Sequence, residues 1–245
     1  MEAGFATNAV GSFQDLLSKI SSTSEGGSLA SAGPVPNSGS SQLHITQVLH
    51  GSFGFLLEEI DTSGGPLFET PLKKAADQAT ELIATFAGED DRKFSEAVEE
   101  LSPRVFLSLR EFFRCVYRDG VTFRLVERDH DQGYSRDAIE RAWRRAEESS
   151  VDQEQITADG VLLGVIPMRR RFEFQLDIDG KVIYGGVAEE FTQTYLEHIN
   201  TEQYVGKRWR AVLKEQYLVT RLGRKPKRSY TLLKLEGIVS HSAPT

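Results

Sequence analysis

From Asp159 onward the apolar residues of this chain change period. Up to that point they recur mainly at helical spacing. Beyond it they alternate, in GVLLGVIP, RRFEFQLDI, KVIYGGVA, WRAVLKEQYLVT and SYTLLKLEG. Alternation sends successive side chains to opposite faces, so each run reads as a strand with one buried face. Between the third and fourth runs lies EEFTQTYLEHIN, where Phe191, Tyr195 and Ile199 recur at four-residue spacing and predict a short helix. Asp179-Gly180 supplies the positive φ of a type I′ turn and predicts a tight hairpin. The order is three strands, a helix, two strands. That is the order of an OB-type barrel, with an SH3-like or other small barrel as the alternative. Closure follows from the need to hide strand edges. A small five-stranded antiparallel β-barrel is therefore expected over 151–245.

The front of the chain is expected to be helical, making the whole protein α+β. In Asn8 to Ser21, the residues Val10, Phe13, Leu16, Leu17 and Ile20 form an amphipathic stripe. Residues 22–42 are rich in Ser, Gly and Pro, with too little apolar surface to offset the entropy of ordering. They predict a flexible linker, leaving 1–21 a tethered helix. An α+β domain is expected over 43–150. In it, LHITQVLHGSFGFLLEEI reads as a hairpin turning at His50-Gly51-Ser52. Thr70-Pro71 and Ser102-Pro103 read as helix starts, with another short helix between them carrying Phe94 and Val98. VTFRLVER reads as a strand joining the hairpin in one small sheet, and Ser135 as the cap of a further helix.

Charge divides the chain. From Gly160 to Thr245 there are 14 Lys+Arg against 9 Asp+Glu, while the rest carries a balance of -12 within a net charge of -7. An acidic front and a basic back suggest separate surfaces. The single cysteine, Cys115, lies in an apolar helical run and reads as packing. No run is long and apolar enough for a membrane span, and MEAGFATNAVGSF lacks the pattern of a secretory signal, so a cytoplasmic protein without membrane contact is expected.

Three features invite a functional reading. The first is the tethered helix, whose Phe13, Leu16, Leu17 and Ile20 are expected to dock into a groove on another protein. The second is basic: Arg221, Arg224, Lys225, Lys227 and Arg228 between the last two strands, with Arg169, Arg170 and Arg171 before the second strand. Cations there neutralise phosphates, and Phe172, Phe174, Tyr184 and Tyr217 would offer stacking faces. The same aromatics also suit a barrel core. The third is ERDHDQ, with Glu127, Asp129, His130 and Asp131, which reads as a solvated loop more readily than a metal site. The HGSFGF turn lacks the Gly-x-Ser-x-Gly spacing of a nucleophile elbow, and Asp177-x-Asp179 lacks the remaining ligands of a calcium loop. No phosphate loop, dinucleotide fingerprint or zinc pair is present, so no metal or cofactor is expected. These residues predict a non-catalytic interaction or adaptor protein. Single-stranded nucleic-acid or RNA binding through the basic barrel face is the alternative, followed by an enzyme with a dispersed site in an interdomain cleft.

Overall fold

The computed structural model describes residues 3–24, 42–49, 54–59, 70–201, 203–219 and 227–237. Helix α1 (Ala3–Ser24) is followed by hairpin strands β1 (Leu43–Leu49) and β2 (Gly54–Glu59). Helices α2 (Pro71–Ala87), α3 (Asp91–Glu100) and α4 (Pro103–Arg118) come next. A second hairpin, β3 (Phe123–Glu127) and β4 (His130–Tyr134), leads into α5 (Arg136–Glu147). The remainder is β5 (Ser150–Ile166), β6 (Arg171–Leu176), β7 (Val182–Val187), α6 (Gln193–Ile199), β8 (Arg208–Val219) and β9 (Arg228–Glu236). Residues 22–24 of the expected linker continue α1, and 25–41 lie outside the described residues.

Side-chain caps set the helix starts. Thr70, Asp90, Ser102, Ser135 and Thr192 each accept a backbone N–H of the first turn. Pro71 and Pro103 occupy first-turn positions that need no donor. Helix α2 has no basic residue in its last turn, and α5 supplies the cations instead. Arg145 donates to the carbonyls of Thr85, Phe86 and Gly88, and Arg141 donates to that of Ala87.

The helical core centres on Phe86. Its ring meets Phe94 edge-on at 5.0 Å and lies against Phe106 and Phe113. Leu72, Ile83, Leu109, Ile139 and Ala142 complete the buried set. Helix α1 belongs to it, packing on α4 and α2. A polar knot fixes its register. Lys19 Nζ donates to Asp15 Oδ2 at 2.7 Å and to Ser108 Oγ at 2.6 Å, while Ser108 Oγ donates to Asp15 Oδ2 at 2.6 Å.

The small sheets differ from the expected arrangement. Among the described residues β1 pairs only with β2, and β3 with β4, so VTFRLVER does not join the first hairpin. ERDHDQ is a hairpin tip rather than a loop: Arg128 turns the chain at φ +50°, and Arg124 ties itself to Asp131 across the ladder. Four consecutive exposed polar or glycine residues, His130 to Gly133, conceal β4 from a periodicity argument.

Tyr134 ends β4 fully buried, stacked on Phe123 at 4.6 Å, and its hydroxyl has no hydrogen-bond partner among the described residues. An unmet buried hydroxyl costs free energy that a phenyl ring does not. Tyr134→Phe is therefore expected to raise stability by about 1 kcal/mol in urea denaturation.

Strands β5 to β9 close into a barrel of order β5-β6-β7-β9-β8. The neighbours are antiparallel except β7 and β9, which run parallel from Gly185↔Tyr230 to Val187↔Leu232. Leu162, Phe172, Phe174, Ile183, Leu213 and Leu232 fill the interior, joined by Leu196 and Ile199 of α6. Gly180 takes φ +68° in the β6–β7 turn. β5 begins earlier than the alternation implies. Its first half, VDQEQIT, pairs only with β8 and is largely exposed, which removes the apolar signal. Val151 and Leu218 at this end pack into the helical core, and Lys227 N–H donates to the carbonyl of Glu99 at 3.0 Å.

Candidate contact surface on the barrel

The four side chains expected to reach a partner are turned inward. Leu16 and Leu17 are 0% exposed and Ile20 is buried, all within the chain's own core. Phe13 is partly buried, its ring 6.0 Å from that of Phe112. A leucine sealed between α1 and its neighbours has no surface to give a groove elsewhere. The docking expectation for Phe13, Leu16, Leu17 and Ile20 gives way to internal packing. The amphipathic stripe marks a buried face, but periodicity alone does not say which surface covers it.

Among the described residues, some of the barrel's cations are already engaged within the chain. Arg228 donates to both oxygens of buried Glu215, each at 2.9 Å, and lies 5.7 Å over the Tyr217 ring. Arg210 makes a two-pronged pair with Asp159, and Arg208 pairs with Asp177. Arg170 adopts φ +49° and donates to the carbonyls of Ala188 and Phe191, fixing the approach to α6. Arg169 and Arg171 form no ion pair among the described residues. Burial, then the neighbouring Arg169, pulls the Arg171 guanidinium below its usual range. Arg221, Arg224 and Lys225 lie outside the described residues, as do His50 to Phe53 of the glycine turn. Phe172 and Phe174 are barrel core, while Tyr184 is 52% exposed on β7. Among the described residues no group of three or more His, Cys, Asp or Glu could hold a metal ion.

Tyr230 lies under the Arg228–Glu215 pair. Burial, followed by its hydrogen bond to Glu215, pushes its phenol from near 10 up to about 12. Burial alone pushes Tyr134 from near 10 to about 12. A folded-state pKa above the unfolded value means the folded chain holds its proton longer. That stability is fully present below pH 10 and is lost as pH rises through about 12. Absorbance titration of the tyrosines is expected to show a late component, coincident with unfolding and diminished in Tyr134→Phe.

The surface left open lies between α6 and the end of β9. β7 ends at Val187, whose partner is Leu232, whereas β9 runs on to Glu236. Beyond Leu232, β9 is paired with β8 alone, and its other edge has no strand neighbour among the described residues. An open groove of about 460 Å³ follows this edge, lined by Phe191, Thr192, Tyr195, Leu233 and Leu235, with Glu190 and Lys234 at its rim. Phe191 and Tyr195 are 5.4 Å apart.

The wall behind α6 is braced. A hydrogen bond of 3.0 Å joins His198 Nε2 and the Tyr204 hydroxyl, Tyr204 stacks on Trp209 at 5.1 Å, and Trp209 Nε1 donates to the Tyr204 carbonyl. Burial, then Tyr204, raises the Tyr195 phenol above its usual range. The Phe191, Tyr195, Ile199 stripe is legible in the sequence, whereas the groove is not, because it exists where β7 stops short of β9. That difference in strand length leaves no mark on periodicity. Searches of family models, curated proteins and solved structures return no match to this chain.

Proposed function

We propose that this chain is a non-catalytic protein-interaction module whose barrel is of the OB type. The strand order, the parallel β7–β9 closure and the helix between β7 and β8 support the OB assignment. The observation that carries the interaction reading is the free edge of β9 beyond Leu232, lying beside an apolar groove. Exposed strand edges accept added strands, and natural proteins otherwise guard them. Selection of displayed random peptides on the full chain tests this. Enriched peptides should lose binding to Tyr195→Ser, whose side chain is 38% exposed in the groove, while its melting curve stays close to that of the unaltered chain. Failure to enrich any sequence counts against the module.

A second reading rests on Tyr184. Its exposed ring stands on β7, with Arg171 opening the adjacent β6 and Arg169 in the turn before it. The outer face of these two strands is where OB barrels hold single-stranded nucleic acid. Anisotropy with labelled oligonucleotides at low salt decides it. Binding weakened by Tyr184→Ala supports this reading, and no binding eliminates it.

A further inference from the structure

We infer that the β9 groove receives an extended segment of another protein, with alternate apolar side chains flanked by lysine or arginine. This inference rests on the interaction-module reading and adds the chemistry of the partner.

The backbone sets the conformation. Past Leu232 the outer edge of β9 has no ladder partner among the described residues, and such an edge is matched by another strand rather than a helix. The half of β5 that also lacks a second neighbour carries exposed Asp152 and Glu154, charges of the kind that keep an edge in solvent. The β9 edge instead carries half-buried Leu233 and Leu235. Its cation, Lys234, is paired with Glu236 at 2.9 Å.

The groove sets the side chains. An added strand turns every second residue toward the wall, where Phe191 and Tyr195 make an apolar seat. Charge sets the flanks. Glu189 and Glu190 are exposed where β7 gives way to α6 and form no ion pair among the described residues. Glu189, Glu190 and Glu236 face two cations, Lys234 paired with Glu236 and Arg170 on the Ala188 and Phe191 carbonyls, so the rim keeps a net charge of -1. A cationic flank is attracted there and a polyanion is repelled.

The test uses the full chain and two fluorescein-labelled synthetic peptides. One is acetyl-Lys-Val-Thr-Val-Thr-Val-Lys-amide, and the other has glutamate in place of both lysines. The lysine peptide is expected to bind saturably and about tenfold tighter than the glutamate peptide at low salt. Glu189→Lys with Glu190→Lys should reverse that order. Methylating alternate backbone nitrogens of the lysine peptide should abolish binding, because the strand bonds are then blocked. Equal binding of both peptides, still lost in Tyr195→Ser, overturns the charge assignment and leaves the module reading standing. Binding indifferent to N-methylation overturns the strand geometry. No binding of either peptide overturns this inference, and the display selection then judges the module separately. Self-association in sedimentation that is lost in Tyr195→Ser identifies a second copy as the occupant and also overturns it.

Discussion

Replacing Leu17 with aspartate should unfold the helical part of the chain rather than merely release a partner. Leu17 is 0% exposed and shares one core with α2 and α4. Removing its side chain alone costs about 2–5 kcal/mol, and the carboxylate adds an unpaired buried charge. Against a typical total of about 5–15 kcal/mol, the loss is decisive. It also displaces Lys19 and Asp15 from Ser108, since the three hold each other across α1 and α4. The melting temperature of the isolated chain should fall by roughly 10 °C or more. A helix held out for a partner would tolerate the same change, so an unaltered melting curve refutes this placement of α1.

Gly185→Val should open the barrel. A Cβ at Gly185 would stand 2.3 Å from the carbonyl oxygen of Tyr230 and 2.6 Å from the ring of Phe172. The first contact is backbone, on the very strand that β7 must meet to close the ring. Neither neighbour can swing away: Phe172 is core and Tyr230 is held in two ladders. Clashes with fixed backbone exceed ordinary overpacking, so the cost is on the order of 3 kcal/mol or more. Urea denaturation and loss of amide protection along Tyr230 to Leu232 are the readouts. Wild-type stability in Gly185→Val contradicts the parallel closure described here.

The strands were readable because their interior faces alternate. Phe172 and Phe174 on β6, and Ile183 on β7, announce themselves at a spacing of two. Helix caps were equally local, and Thr70, Ser102 and Ser135 needed no tertiary context. What could not be read depended on partners distant in the chain. The stripe of α1 fixed a buried face but not what buries it. The polar strand β4 formed because Arg124 meets Asp131 and Phe123 meets Tyr134 across the turn. The ion pairs of the barrel leave no local mark either, since Arg208 and Arg210 find Asp177 and Asp159 only once the strands are in register. The groove was the least legible feature, since it arises from where one strand stops relative to another. Lys+Arg counts describe a surface poorly when folding pairs them internally.

Hydrogen–deuterium exchange along β9 tests the open edge most directly. In the free chain, alternate amides between Leu233 and Glu236 should exchange much faster than those of Tyr230 to Leu232. Adding the lysine-flanked peptide should protect them and leave Gly185 to Val187 unchanged. Amides past Leu232 that are already as protected as Leu232 itself, and that do not respond to the peptide, would mean the edge is covered and no strand can join it.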